Sequence, residues 1–296
     1  PLRQEAGAEG SARAMISVVI LTMNEAANLP RCLESIRWSD DVLVLDSGST
    51  DATVELAKSA GARVMHRPFD SFAGQRNHAM EEGGLRHPWV LHLDADEVVR
   101  PELERELRAI ATSASSGFPV YRIPARIIFR GRWLCHAGMY PAYQVRFGRR
   151  ESLRFVDHGH GQREVQPPEQ VGTISAAFDH YNFSKGVNDW FARHLRYAKE
   201  EARQSLRERA EPLRISGLLS ADATERRRSL KRLANRLPFR PSLRFAYAYL
   251  LRGGFLDGAA GLQYARMLAT YQRFIDLNLV ELRDDARRPP NGGGDA

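Results

Sequence analysis

Trp89-Val90-Leu91-His92-Leu93-Asp94-Ala95-Asp96-Glu97 decides how the chain is read. An apolar run ends abruptly in three acids. The run has the length and composition of a short buried strand. The acids then fall at the strand's carboxyl end, which is where open α/β sheets bind their ligands. Two aspartates one residue apart can share a hard divalent cation that keeps room for substrate phosphates. Pro101 and the acid-rich Glu102-Leu103-Glu104-Arg105-Glu106 follow as the start of a helix, so an acidic helix N-terminus is the plainer reading of the same residues.

Upstream, the same grammar repeats. Met15 to Thr22 is β-branched and almost wholly apolar, a buried strand of parallel type. It runs into Met23-Asn24-Glu25. Asn28 is expected to cap a helix from Leu29 to Arg37, with Pro30 in its first turn. Asp41 to Leu45 is a second strand, ending in Asp46-Ser47-Gly48-Ser49-Thr50-Asp51. A helix from Thr53 to Ala60, a strand from Ala62 to His66 and a helix from Ala73 to Glu81 precede the run at Trp89. Strands alternating with helices predict a doubly wound, mostly parallel sheet. Glu25, Asp46 and the Asp94/Asp96 pair then converge on one sheet edge.

The chain has 296 residues, 43% of them hydrophobic, enough for one extended domain or two coupled ones. Two cysteines, Cys32 and Cys135, exclude a disulfide framework and a cysteine zinc cluster, and fit a reducing compartment. A formal net charge of +7 favours anionic partners: nucleotide, phosphorylated sugar, anionic membrane or nucleic acid. Pro1 to Ala14 lacks an apolar core of signal-peptide length and reads as a flexible tail. No run approaches the roughly 18 apolar residues of a spanning helix, so a soluble or peripheral protein is expected.

From Tyr121 to Arg150 the composition changes. Seven arginines (Arg122, Arg126, Arg130, Arg132, Arg146, Arg149, Arg150) and no acid are interleaved with aromatics. Such a stretch suits a nucleic-acid groove, a solvated positive face, or a site for a phosphorylated or sugar acceptor. Arg154 to Val165 is a polar loop with His158, His160 and Glu164. The two histidines lack further zinc ligands at ordinary spacing. An apolar strand from Ile174 to Phe178 leads to Asp179-His180-Tyr181. Helical patterning covers Gly186 to Arg209, Phe245 to Leu251 and Gly258 to Leu279. A basic run, Arg226-Arg227-Arg228, Lys231, Arg232, Arg236 and Arg240, lies before the second of these.

Ile16 to Glu25, Asp46 to Asp51, Gln75-Arg76-Asn77 and Leu93 to Glu97 together resemble family 2 inverting glycosyltransferases of the GT-A fold. The likeness is nearest to the bacterial lipopolysaccharide core β-glucosyltransferase branch, and extends over Tyr143 to Glu164 and Gly254-Phe255-Leu256-Asp257-Gly258. The resemblance implies a nucleotide-sugar site made by Thr22, Asn24, Glu25, Asp46, Ser47, Gly48, Gln75, Arg76, Asn77, Asp94 and Ala95. It implies Mn2+ or Mg2+ held by Asp96, with Asp94 and His180, and Glu164 as catalytic base, although a Val-His-Glu-like motif here reads Gln162-Arg163-Glu164. Arg76 is a further candidate for compensating diphosphate charge.

The implied activity is metal-dependent sugar transfer from a nucleotide donor, a UDP-sugar foremost, to a glycan or lipid-linked acceptor in lipopolysaccharide core or other cell-envelope synthesis. The implied place is the cytoplasm, peripheral on the inner membrane face, with an anionic membrane surface as partner and nucleic acid excluded. A nucleotidyltransferase acting on a sugar phosphate would show a Gly-rich loop after its first strand. A non-enzymatic nucleic-acid-binding protein would leave the acidic strand ends without a purpose. The expected organisation is a tail at 1–14, a nucleotide-sugar half at 15–116, an acceptor and catalytic half of the same domain at 117–185, a helical region at 186–283 and a disordered tail at 284–296.

Overall fold

The run at Trp89 forms strand β4 (Trp89–Asp94), parallel to β1 (Ile16–Thr22), with Ile16 opposite Trp89 and Leu21 opposite Asp94. The computed structural model of the chain describes residues 16–113, 117–158, 161–210, 229, 233 and 236–287. The expected tail at 1–14, His160 and the residues Arg226, Arg227, Arg228, Lys231 and Arg232 lie outside them. On the far side of β1 lie β2 (Val42–Asp46) and β3 (Arg63–His66), both parallel. The crossovers are α1 (Leu29–Glu34), α2 (Thr53–Ser59) and α3 (Phe72–Glu82). Register sets Thr22 beside Asp46 and Asp46 beside His66. The acidic strand ends therefore share one edge.

On its other side β4 takes an antiparallel neighbour. The order continues through β8 (Ala142–Arg149), β6 (Val120–Phe129), β12 (Phe178–His180) and β5 (Glu97–Val98). Helix α4 (Pro101–Thr112) follows β5, while β7 (Arg132–Trp133) and β11 (Val171–Thr173) pair with β6. A separate antiparallel hairpin joins β9 (Phe155–His158) to β10 (Gly161–Glu164).

Period-2 alternation sends Val18, Ile20, Leu91 and Leu93 into a core on one face, and Val19, Leu43, Leu45 and Val90 into a core on the other. Both faces being covered is why these strands read as continuous apolar runs. Cys32 is buried in the first core. His92 is buried in β4, edge-on to Phe155, and burial holds its imidazole well below the ordinary range, hence neutral.

Two local expectations are corrected. Asn28 does not cap α1: its backbone is already helical, and its side chain donates to Glu25 instead (2.7 Å). The strand expected from Ile174 to Phe178 is broken, because the Glu106 carboxylate takes the backbone amides of Ser175 (3.0 Å) and Ala176 (2.9 Å) that a ladder would need.

The chain separates into two compact units, one formed by Pro1–Trp133 with Tyr140–Lys185 and the other by Leu134–Met139 with Gly186–Ala296. In the second, α5 (Gly186–Ala210) packs on α7 (Gly258–Arg287) through Ala198, Ala202, Ile275 and Leu279. Helix α6 (Arg240–Ala246) runs into a π-turn at Tyr247–Leu251 and a 3-10 turn at Gly254–Asp257. Asp257 receives the excursion Leu134–Met139, accepting from the backbone amides of His136 (3.0 Å) and Ala137 (2.7 Å) and meeting His136 Nδ1 at 3.0 Å. Helix α7 outlasts its expected end at Leu279, since Leu282 still packs on the α5–α7 core. Asp284 to Arg287 are thus helical rather than part of a tail.

Candidate functional site

The loops after β1 and β2 are stitched together. Thr22 Oγ1 donates to Asp46 Oδ1 (2.9 Å), Asn24 N to Ser49 Oγ (2.8 Å), and Thr50 N to Asn24 Oδ1 (2.7 Å). Asn24 adopts φ +56°, a left-handed conformation that asparagine tolerates. Asp46 is fully buried and also accepts from Gly48 N (3.0 Å) and Ser49 N (2.8 Å). Burial raises its carboxyl, but these donors outweigh it and hold the group below 3.8. Glu25 meets Lys185 Nζ at 2.5 Å, while burial pushes its own carboxyl upward.

The three consecutive residues on α3 face different tasks. Gln75 donates to Pro68 O (2.8 Å), and Asn77 brackets the backbone of Phe155, donating to its O (2.8 Å) and accepting from its N (3.0 Å). Arg76, 1% exposed, donates to Asp94 Oδ1 (2.7 Å) and Gln162 Oε1 (2.9 Å). Its Nε and Nη2 are engaged in this way, while its Nη1 is buried without a hydrogen-bond partner among the described residues.

Asp94 has a second guanidinium on its other oxygen. Arg146, on β8, reaches Asp94 Oδ2 (2.6 Å) and Glu97 Oε1 (2.7 Å), and Glu97 Oε2 accepts from Asp94 N (2.9 Å). Glu97 is fully buried; burial and the Asp94 carboxylate push its carboxyl well up, and Arg146 answers both. Ala95 turns into the core, and Asp96 turns the other way. Asp96 Oδ2 stands 3.5 Å from His180 Nε2, and its carbonyl accepts from Tyr181 N (2.8 Å). The pairing of β12 with β5, His180 opposite Glu97, brings the two side chains together.

Glu164 closes β10. Gln162, two residues earlier, accepts from Arg76, and strand alternation places Glu164 on that same face. His158 is exposed at the end of β9.

Among the described residues no group of three His, Cys, Asp or Glu side chains forms a metal cage. Asp96 and His180 form a two-donor set. That fits Mg2+ or Mn2+, which take one or two carboxylates and complete their shell with water and substrate phosphates. Asp94 carries a guanidinium on each oxygen.

The arginine-rich stretch is mostly engaged within the fold. Arg122 lies over Tyr143 (4.9 Å), Arg126 over Trp133 (4.2 Å) and against Asp179 (3.2 Å), and Arg149 over Trp89 (4.8 Å). Arg150 donates to Leu85 O (2.6 Å). Packing against cross-strand aromatics accounts for the interleaving at Arg122, Arg126 and Arg149. Sequence reasoning missed Arg146, Glu97, Gln162, Lys185 and His66, whose Nδ1 is 3.5 Å from Asp46 Oδ2.

Residues 17–158 match the family described as glycosyl transferase family 2. An uncharacterised glycosyltransferase of Rickettsia prowazekii is 39% identical over 118 residues, 39% of this chain and 40% of that protein. The lipopolysaccharide core biosynthesis glycosyltransferase LpsC of Rhizobium meliloti is 32% identical over 164 residues, 54% of this chain and 57% of LpsC. The chain thus spans two-fifths of the first relative's length and under three-fifths of the second's. Glucosyl-3-phosphoglycerate synthase from Mycobacterium tuberculosis, in complex with Mn2+, UDP and glucosyl-3-phosphoglycerate, aligns at TM-score 0.42 with 18% identity over 62% of this chain and 79% of that one. S. aureus TarS 1-349 aligns at 0.41 with 15% identity over 95% of both chains. The expected α/β architecture, a mostly parallel sheet flanked by helices with a helical C-terminal region, is present.

Proposed function

We propose that this protein transfers a sugar, with inversion, from a nucleoside-diphosphate donor to a glycan or lipid-linked acceptor of the cell envelope. The observation that carries the reading is the edge where Thr22, Asp46 and Asp94 end adjacent parallel strands, with Asp96 and His180 beside them, in a chain whose residues 17–158 match glycosyl transferase family 2. The likeness to LpsC supports a lipopolysaccharide core acceptor, and a UDP-sugar is the donor to test first. A lipid-linked acceptor also places the protein on the inner face of the cytoplasmic membrane; no described helix is long and apolar enough to cross it.

Roles follow from what each side chain touches. The stitched loops at Asn24, Glu25 and Asp46 to Gly48 form the floor for base and ribose. Asp46 acts through the loop it shapes, because its oxygens are taken by local donors. Gln75 and Asn77 brace α3 and β9 around the site. Asp96 and His180 would hold a divalent cation, which when bound neutralises charge developing on the leaving diphosphate. Arg76 and Arg146 hold Asp94 in place. Glu164 takes the proton of the acceptor hydroxyl as its oxygen bonds to the anomeric carbon and the bond to phosphate breaks.

The test is a nucleotide-sugar panel, read as release of nucleoside diphosphate with Mn2+, with Mg2+ and with chelator. Chelator-sensitive release from one donor, raised by an envelope glycan, is the expected result. Release of inorganic pyrophosphate from a nucleoside triphosphate and a sugar phosphate would instead make the protein a nucleotidyltransferase. Tight single-stranded DNA binding without any release would make it a nucleic-acid binder.

A further inference from the structure

One surface of the helical unit is unexplained by sugar transfer. Helix α6 and its π-turn carry Leu243, Tyr247, Leu250 and Leu251 at spacings of three and four, which is one helix face, and Phe239 precedes them at φ +58°. These side chains are turned outward: Phe239 is 79% exposed, Leu250 59% and Leu251 80%. Behind the stripe Ala248 is buried, and Arg240, at the start of the helix, is paired to Asp276 at 2.7 Å. Gly253, at φ +72°, then turns the chain, and Phe255 and Leu256 extend the stripe, both more than half exposed. Tyr249, ring to ring with Phe245 (5.3 Å) and Phe255 (6.3 Å), ties turn to helix. An apolar stripe this continuous on a surface marks an interaction site.

The charge beside it selects the partner. From Arg236 to Leu256 the sequence holds four arginines and no acid. Arg244 and Arg252 flank the stripe, half-buried. Basic residues bordering an aromatic and leucine-rich face are the signature of a helix lying in the headgroup region of an anionic bilayer. A second copy of the chain fits poorly: a two-fold contact through this face would set arginine against arginine.

We infer that the surface formed by α6, the π-turn and the 3-10 turn at Gly254–Asp257 inserts into the headgroup layer of an anionic membrane, with Leu250, Leu251, Phe255 and Leu256 as its deepest side chains. The inference deepens the membrane-side placement proposed above, yet lipid binding needs neither donor nor metal, so the two fail separately.

The test is flotation of the full chain with vesicles of equal parts phosphatidylcholine and phosphatidylglycerol, and with phosphatidylcholine alone. The chain is expected to float with the anionic vesicles, less so as salt rises. Leu250→Glu with Leu251→Glu should cut partitioning at least about tenfold. The exposure of both leucines leaves the thermal melt and nucleoside-diphosphate release unchanged. Arg244→Gln with Arg252→Gln should remove the preference for anionic vesicles while the apolar stripe remains. Failure of the parent chain to float, or equal flotation of the leucine variant, would overturn the inference. So would a variant that converts a dimer to a monomer without changing flotation, because a second copy would then be the occupant.

Discussion

Arg146→Met is the sharpest probe of the network beneath the site. Arg146 is 3% exposed and holds two carboxylates, Asp94 and Glu97. Asp94 keeps Arg76 when Arg146 is lost, whereas Glu97, fully buried, keeps no guanidinium contact. Removing one partner of a buried ion pair costs about 3–5 kcal/mol. Protonation sets a ceiling on the charge part of that cost. Glu97 can become neutral by binding a proton, at about 1.4 kcal/mol per pH unit above its ordinary value of 4.5. The ceiling is about 4 kcal/mol near pH 7.5 and under about 1 kcal/mol near pH 5. Burial and the Asp94 carboxylate already push the Glu97 carboxyl up in the parent, and losing the Arg146 cation pushes it further. The folded variant then holds a proton over a pH range where the folded parent releases it, so the stability loss grows as pH rises through that range. Urea unfolding of parent and variant at both pH values measures the loss. A loss of about 3–4 kcal/mol at the higher pH, shrinking on acidification, is expected. A loss below about 1 kcal/mol at both, or one that grows in acid, would refute the view that Arg146 balances a buried Glu97 charge.

The other predictions address the proposed chemistry and the helical unit. Asp96→Asn should abolish chelator-sensitive release of nucleoside diphosphate while circular dichroism stays that of the parent; near-normal turnover at limiting Mn2+ would take Asp96 out of the cation site. Glu164→Gln should lower the transfer rate about 10²–10⁴-fold with donor affinity held, and the reverse pattern, rate kept and affinity lost, would make Glu164 a binding residue. Gly261→Ala places a methyl 2.0 Å from Gly254 O, so the start of α7 must shift; a stability loss of about 1–3 kcal/mol in thermal unfolding is expected, and an unchanged melt would contradict the close approach.

The strand runs at Ile16 and Trp89 were legible because both sheet faces are covered and no polar residue is needed until the chain leaves the sheet. The acids at the strand ends were legible for the same reason, as abrupt breaks in an apolar pattern. Their division of labour was not. Asp94 and Asp96 differ by one residue in sequence, but Asp94 is clamped by an arginine 52 residues away while Asp96 meets a histidine on another strand. Nothing local marks Arg146 among seven arginines as the buried one. Asp41, read only as the first residue of a strand, binds Ser17 and the backbone of Arg86 and pairs with Arg63. Burial raises its carboxyl, but those partners prevail and lower it to about 2. Long-range partners of this kind are set by topology, which periodicity predicts only in outline.

The excursion Leu134–Met139 gives the chain an uncommon seam. It leaves the sheet unit after Trp133, is held by the Asp257 carboxylate, and returns at Tyr140. The frontier between the two units is therefore crossed three times along the polypeptide. A chain shortened to end at Lys185 would not be a clean catalytic fragment: six residues in its middle would lose their anchor, and the amides of His136 and Ala137 would face water where a carboxylate had been. Fragment swaps between relatives face the same restriction, because a helical region grafted at residue 186 must bring an acid that recognises the host's own segment at 134–139.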